Sequence, residues 1–379
     1  MKHKCLHIIK IAFGIATVLS LWSCSSNDST HEPVEAPKRE LHFMLGSCNY
    51  QDVTPETSRR ALPEGYVPYS ELTPKLPLDG ASLRCFITQN NEVVGYGNVS
   101  YNSGSWVSAI SQAVGMSYIY GLMADDVASN VTLTPHPEGF AKGASMVIEG
   151  LNPLINSDIC TIVGVKGATA AVGFDNVDIK RGGFAYDVQT DGTFIYLLID
   201  HLYAALQLNM NISSEYNALR TIKLTKLTLR SSSVTKKVNM TVNLTPNTSN
   251  TLPFTTPTLE QTSEPSADAE TVVLYDGAEK TLEETNNLVF VACTAPMAAN
   301  TQFEMTATYN VYDRKGNLIR KDCEAENVLK LTKSDSDQIL PGGLAHGQKY
   351  TFNLTVNPTY LNVLSDPDLD NPTVTINNN

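Results

Sequence analysis

The residue most suited to chemistry in this chain is Cys24. It ends the run Leu21-Trp22-Ser23-Cys24, with a small residue just before the thiol and an apolar segment before that. This is the pattern of a lipobox, in which the sulfur is acylated and the cysteine becomes residue one of the mature chain. The preceding segment has the shape of an export signal. Lys2, Lys4 and Lys10 form a basic start, and Ile11 to Leu21 form an apolar run of 11 residues. That run is far short of the roughly 20 residues a spanning helix needs and suits a signal peptide over residues 1–23. Ser25, Ser26, Asn27 and Asp28 continue as a polar tether. Two or more acyl chains anchor a protein stably where one is marginal.

Other reactive residue types do not converge. Cys48, Cys85, Cys160, Cys293 and Cys323 are widely spaced and mostly flanked by apolar residues, so they read as buried thiols rather than metal ligands. One disulfide among them stays open as an alternative. Asp200-His201 could form part of a dyad, but it sits in a strongly apolar run and reads as a satisfied, partly buried histidine. Asp366, Asp368 and Asp370 have the D-x-D-x-D spacing of a calcium loop, yet Asn371 stands where the turn glycine belongs and Asn377 where the closing glutamate belongs. Gly164-Val165-Lys166-Gly167 lacks the spacing of a phosphate loop. No H-e-x-x-h run, dinucleotide fingerprint or nucleophile elbow is present. The expectation is a protein that is not an enzyme and carries no cofactor and no metal.

Positioning these residues falls to a β-rich chain. Of 379 residues, 42% are hydrophobic and 17% charged, enough apolar material for two domains with cores. Many Thr, Ser, Asn and Val residues favour strands. The net charge of −12, less the three signal lysines, is −15 for the mature chain. Without a basic patch, such a chain excludes nucleic acid as a partner.

The tether runs through residues 24–40. Leu41 to Ser47 then alternates as a strand, with Leu41, Phe43 and Leu45 on one face. A Pro-rich loop, 49–77, contains Ser58-Arg59-Arg60-Ala61. Short strand-like runs follow, from Leu83–Thr88 to Lys349–Val356, with hairpin turns expected at Gln89-Asn90-Asn91 and Arg314-Lys315-Gly316-Asn317. A Gly-rich stretch, Gly164 to Gly183, separates two sets. His201 to Met210 is the one place where a helix competes with a strand. The resulting expectation is all-β: two β-sandwich domains in series, 41–185 and 186–379.

With its lipobox, tether, first strand, Arg-bearing loop and serial β domains, the chain resembles the fimbrillin-like lipoproteins of Bacteroidales, the subunits of pili assembled by strand exchange. Leu197-Leu198-Ile199-Asp200-His201-Leu202-Tyr203-Ala204-Ala205-Leu206, Tyr216-Asn217-Ala218-Leu219-Arg220-Thr221-Ile222 and Gly347-Gln348-Lys349-Tyr350-Thr351-Phe352-Asn353-Leu354-Thr355-Val356 carry that likeness further. The resemblance implies transthyretin-like sandwiches and a lipid-anchored precursor at the outer membrane. It implies an Arg-specific protease as partner, cutting at Arg60 or its neighbour Arg59, with Lys38-Arg39 as the competing site. Cutting would release the strand bearing Leu41, Phe43 and Leu45, and other pilus subunits would then fill the groove. The resemblance also implies a fimbrial, cell-surface location. The matching donor segment is Tyr360–Leu364 plus Thr373–Ile376. Two alternatives stay open: a lipid-anchored surface protein that binds glycans, and a pilus anchor subunit that remains uncut.

Overall fold

The computed structural model describes residues 39–48, 51–52, 66–68, 81–112, 114–124, 131–188, 193–231, 237–246, 258–261, 271–285, 287–297, 302–330 and 343–356. Cys24, Arg59, Arg60, the Asp366–Asp370 loop and the 360–376 segment lie outside these residues.

The described chain is β almost throughout. It opens with β1 (Arg39–Cys48), β2 (Gln51–Asp52) and β3 (Tyr66–Pro68). β4 (Ser82–Gln89) and β5 (Glu92–Asn102) form the expected hairpin. Asn90 and Asn91 both take positive φ, 49° and 63°, the left-handed pair that a two-residue turn between right-twisted strands requires and asparagine tolerates. Next come β6 (Ser105–Val107), β7 (Ser111–Gln112), β8 (Gly115–Met123), β9 (Val131–Pro135) and β10 (Ala144–Leu151). They are followed by β11 (Leu154–Ile155), β12 (Cys160–Ala168), β13 (Ala185–Val188), β14 (Thr193–His201) and β15 (Ala204–Ile212). The α-helix α1 (Ser214–Leu219) was not foreseen. It starts on Ser213, whose hydroxyl accepts from the Tyr216 N–H. The chain finishes with β16 (Thr221–Ser231), β17 (Val238–Leu244), β18 (Thr258–Gln261), β19 (Thr271–Thr281), β20 (Leu288–Thr294), β21 (Gln302–Tyr312), β22 (Leu318–Lys330) and β23 (Gln348–Val356).

The strands build four sheets. The first runs β3-β1-β14-β12-β8-β4-β5-β6, with β13 also on β8 and β7 on β1. The second is β18-β17-β10-β9, the third β11-β20-β15-β23-β2 and the fourth β19-β16-β21-β22. Pairing crosses the 185/186 division: β14 lies inside the first sheet, β10 pairs with β17, and β2 pairs with β23. Sheet neighbours here are set by long connections, which strand patterning along the chain does not encode.

Where only one face is buried, the pattern alternates. Val238, Met240, Val242 and Leu244 of β17 are buried and the residues between them half-buried. The 201–210 run resolves the same way. Leu206, Leu208 and Met210 are buried on β15 while Gln207 and Asn209 are half-buried, a period of two that rules out the helix. β14 instead is buried on both faces, which is why it reads as a continuous apolar run. On one side Ile195, Leu197 and Ile199 join Leu83, Cys85, Ile87 and Ile119 in one core. On the other, Tyr196 and Leu198 join Val163, Phe174, Val177 and Ile179. The largest core fills the space among the second, third and fourth sheets and reaches Tyr120 and Phe184. The Gly164–Gly183 stretch begins within β12 and then folds back over β1 and β14 as their cover.

Candidate functional site

The site is the bed in which β1 lies. β1 runs parallel to β14, with Leu41 opposite Thr193, Phe43 opposite Ile195, Leu45 opposite Leu197 and Ser47 opposite Ile199. Its other edge is paired only at the ends, to β7 at Arg39–Glu40 and to β3 at Gly46–Cys48. Among the described residues no strand pairs with that edge from Leu41 to Leu45. Leu41, Phe43 and Leu45 are nonetheless 2%, 5% and 4% exposed and sit in the core beneath the first sheet. The opposite face is lighter: Met44 is half-buried against the Phe174 side, and the exposed His42 ring lies 5.1 Å from Phe194.

At its far end β1 meets a sealed polar cluster. His201, the last residue of β14, donates from Nε2 to the Cys48 carbonyl (2.8 Å), and Ser47 Oγ lies 3.3 Å from the same nitrogen. Because a carbonyl only accepts, Nε2 carries a hydrogen. On the other side Nδ1 lies 2.8 Å from Asp158 Oδ2 and 3.4 Å from Cys160 Sγ. Burial works against a charge on this ring, but Asp158, Asp200 and the Cys48 carbonyl outweigh it, so the His201 pKa is raised. The consistent arrangement is an imidazolium bonded to the Asp158 carboxylate. Burial pushes the Cys160 thiol well up, with Asp158 and Asp200 adding to it.

Asp200 faces elsewhere, to Arg181 Nη1 (2.6 Å) and the His201 backbone N–H (2.9 Å). The sequence pair Asp200-His201 is therefore not a dyad. The ring's carboxylate partner is Asp158, which sequence spacing did not suggest, and Asp158 and Cys160 approach the same nitrogen. A nucleophile–base–orienter relay needs opposite nitrogens and access to solvent. Ligand atoms of Asp158, Cys160 and His201 all lie within 4.8 Å of one another. Three ligands are one fewer than a closed tetrahedral metal site, and the other nitrogen of the ring is bonded to the Cys48 carbonyl. Cys48, Cys85, Cys160, Cys293 and Cys323 are all buried, and no disulfide joins them.

No family model and no curated protein matches the chain. Solved structures do. A candidate cell adhesion protein of Bacteroides fragilis is 12% identical, with 86% of this chain and 95% of that one covered and a TM-score of 0.44. A fimbrial protein of Bacteroides vulgatus is 10% identical over 73% and 88%, with a TM-score of 0.36. The tip fimbrial protein Mfa3 of Porphyromonas gingivalis, truncated at its C-terminus, is 9% identical over 86% and 97%, with a TM-score of 0.33.

Sequence reasoning placed Leu41, Phe43 and Leu45 on one face of a first strand, and the structure brings them together in one core. It missed two contacts on that strand. One is the His201 cluster at its end. The other is the close approach of Phe174 to Gly46, for which a glycine inside an alternating strand was the available signal. It also missed β2, whose two residues pair with β23 in a different sheet.

Proposed function

We propose that this protein is a structural or adhesive subunit of a cell-surface fibre, delivered to the outer membrane as a lipoprotein on Cys24, cut after Arg59 or Arg60, and joined to other subunits by strand exchange in the bed of β1. One observation carries the reading. β1 is buried like a core strand and is paired with β14 from Leu41 to Ser47, among the described residues its other edge is paired only at the ends, and the chain that follows it contains the Arg pair. A cut there separates β1 and β2 from everything else. The vacated edge of β14 then presents unpaired backbone groups beside three empty side-chain sites. Refilling them is worth about 5–9 kcal/mol, at roughly 1.5–3 per large apolar side chain. The main-chain ladder adds to this, which is the energetics of β-strand addition.

The test is limited trypsin digestion of the purified precursor, followed by intact mass and a native gel. The expected result is one dominant cut after Arg59 or Arg60, after which an added strand peptide displaces the N-terminal fragment. No preferred cut in 49–77 would overturn the maturation step and favour an uncut anchor or a glycan-binding surface lipoprotein.

A further inference from the structure

Resting on that strand-exchange reading, we infer that the bed of β1 accepts only a strand with no side chain at the position of Gly46, so that its occupant after cutting is a glycine-bearing strand and not residues 357–379 of a second copy. A Cβ built on Gly46 would lie 2.8 Å from Phe174 Cε2 and nearer still to two other atoms of the ring. Real Cβ contacts essentially never fall below 3.0 Å. Gly46 is not among the positive-φ glycines, so its backbone does not demand glycine; the space does.

The ring is held where it is. Phe174 is 6% exposed and packs edge-on to Tyr196, with centroids 5.9 Å apart. The Tyr196 hydroxyl accepts from the Val172 N–H (2.7 Å) and donates to the Val172 carbonyl (2.9 Å), pinning the turn that carries Phe174 onto β14. That turn is closed by its own bonds, from Asn176 N–H to the Gly173 carbonyl and from Val177 N–H to the Phe174 carbonyl.

An incoming strand cannot avoid the ring by sliding. A shift of one residue turns its apolar side chains out of the core. A shift of two puts another residue of the same face under Phe174 and moves its end away from His201, which binds the strand at Ser47 and Cys48. The bed therefore specifies three large apolar residues at alternate positions, then at once a residue lacking Cβ, then a small residue. Residues 357–379 contain no glycine, so in every register they would set a Cβ against Phe174.

The experiment uses the full chain cut by trypsin in the 49–77 loop, with labelled synthetic peptides competing for the bed. The peptide of residues 39–48 should exchange in. Its Gly46→Ala form should bind at least tenfold more weakly, and Gly46→Val and the 357–379 peptide should not enter. Phe174→Ala in the cut chain should restore the Gly46→Ala peptide. Equal binding of the native and Gly46→Ala peptides, no rescue by Phe174→Ala, or entry of the 357–379 peptide would overturn the inference while leaving strand exchange intact. Failure of the native peptide itself to enter would overturn strand exchange and this inference together.

Discussion

Shortening Phe43 to alanine should release β1 without unfolding the protein. Phe43 is 5% exposed, opposite Ile195 and within the core beneath the first sheet. Phe→Ala in such a setting costs about 3–5 kcal/mol, the transfer of the ring plus the cavity it leaves. The whole apolar contribution of β1 from Leu41, Phe43 and Leu45 is only about 5–9 kcal/mol. The substitution therefore removes a large share of what keeps this strand down, and among the described residues β1 has a continuous partner, from Leu41 to Ser47, on one edge only. At about 1.4 kcal/mol per tenfold, the detached population should rise by roughly two to three and a half decades. Native-state hydrogen exchange read by mass spectrometry measures this directly. Amides of Leu41–Ser47 should exchange about 100- to 3,000-fold faster, while those in the β16–β21 ladder of the fourth sheet keep their rates. An equal acceleration in all four sheets would mean that β1 opens only with the entire fold. Less than tenfold at β1 would mean that its core face is not what holds it. Either result refutes a strand poised for replacement.

The grip on the end of β1 should weaken as pH rises. The His201 pKa is raised by folding, so the stabilisation from its charged form is complete below the unfolded value of about 6.5 and fades as pH climbs through the folded value. Exchange at Ser47 and Cys48, corrected for intrinsic pH dependence, should show that step, and Asp158→Asn should move it to lower pH. The double substitution Arg59→Ala with Arg60→Ala should leave a folded chain that resists trypsin in the 49–77 loop and stays monomeric on a native gel after protease treatment. Cys24→Ala should abolish incorporation of labelled palmitate and leave the protein out of the membrane fraction.

Much of the fold was legible because its strands obey the simplest rule available to them. One-faced strands such as β17 alternate, two-faced β14 does not, and the Asn90-Asn91 and Gly316 turns announce themselves by their residue types. Pairing was not legible. Nothing local to Met146 or Val242 states that β10 and β17 are partners, because that choice is made by the shared core they close. The site was half legible for the same reason. The apolar face of β1 is a local pattern. The contacts that fix its end and its glycine come from Asp158, Phe174 and His201, more than a hundred residues away in sequence.

The place of the proposed cut is also where a cut changes the most. As a continuous chain, β1 and β2 are held in two sheets at once, to β14 and to β23. β14 and β15 are separated only by Leu202 and Tyr203. There the His201 carbonyl meets His346 Nδ1 (3.3 Å) and the Tyr203 carbonyl accepts from the Gly347 N–H (2.9 Å). The His201 ring reaches Cys48 from the same short segment, so the two vacated edges adjoin at one point. A tethered strand competes for its bed at an effective concentration on the order of millimolar, and no free subunit at ordinary cellular concentrations displaces it. Cutting after Arg59 or Arg60 leaves the pairings of β1 and β2 in place and removes the tether. The resident strand then holds by its own contacts, once lost it is diluted, and a strand anchored in a neighbouring subunit takes the advantage. On this account the protease supplies no binding energy; it decides which strand has the higher local concentration. A disulfide tying the 39–48 strand to β14 should therefore block assembly after a complete cut, and reduction should restore it.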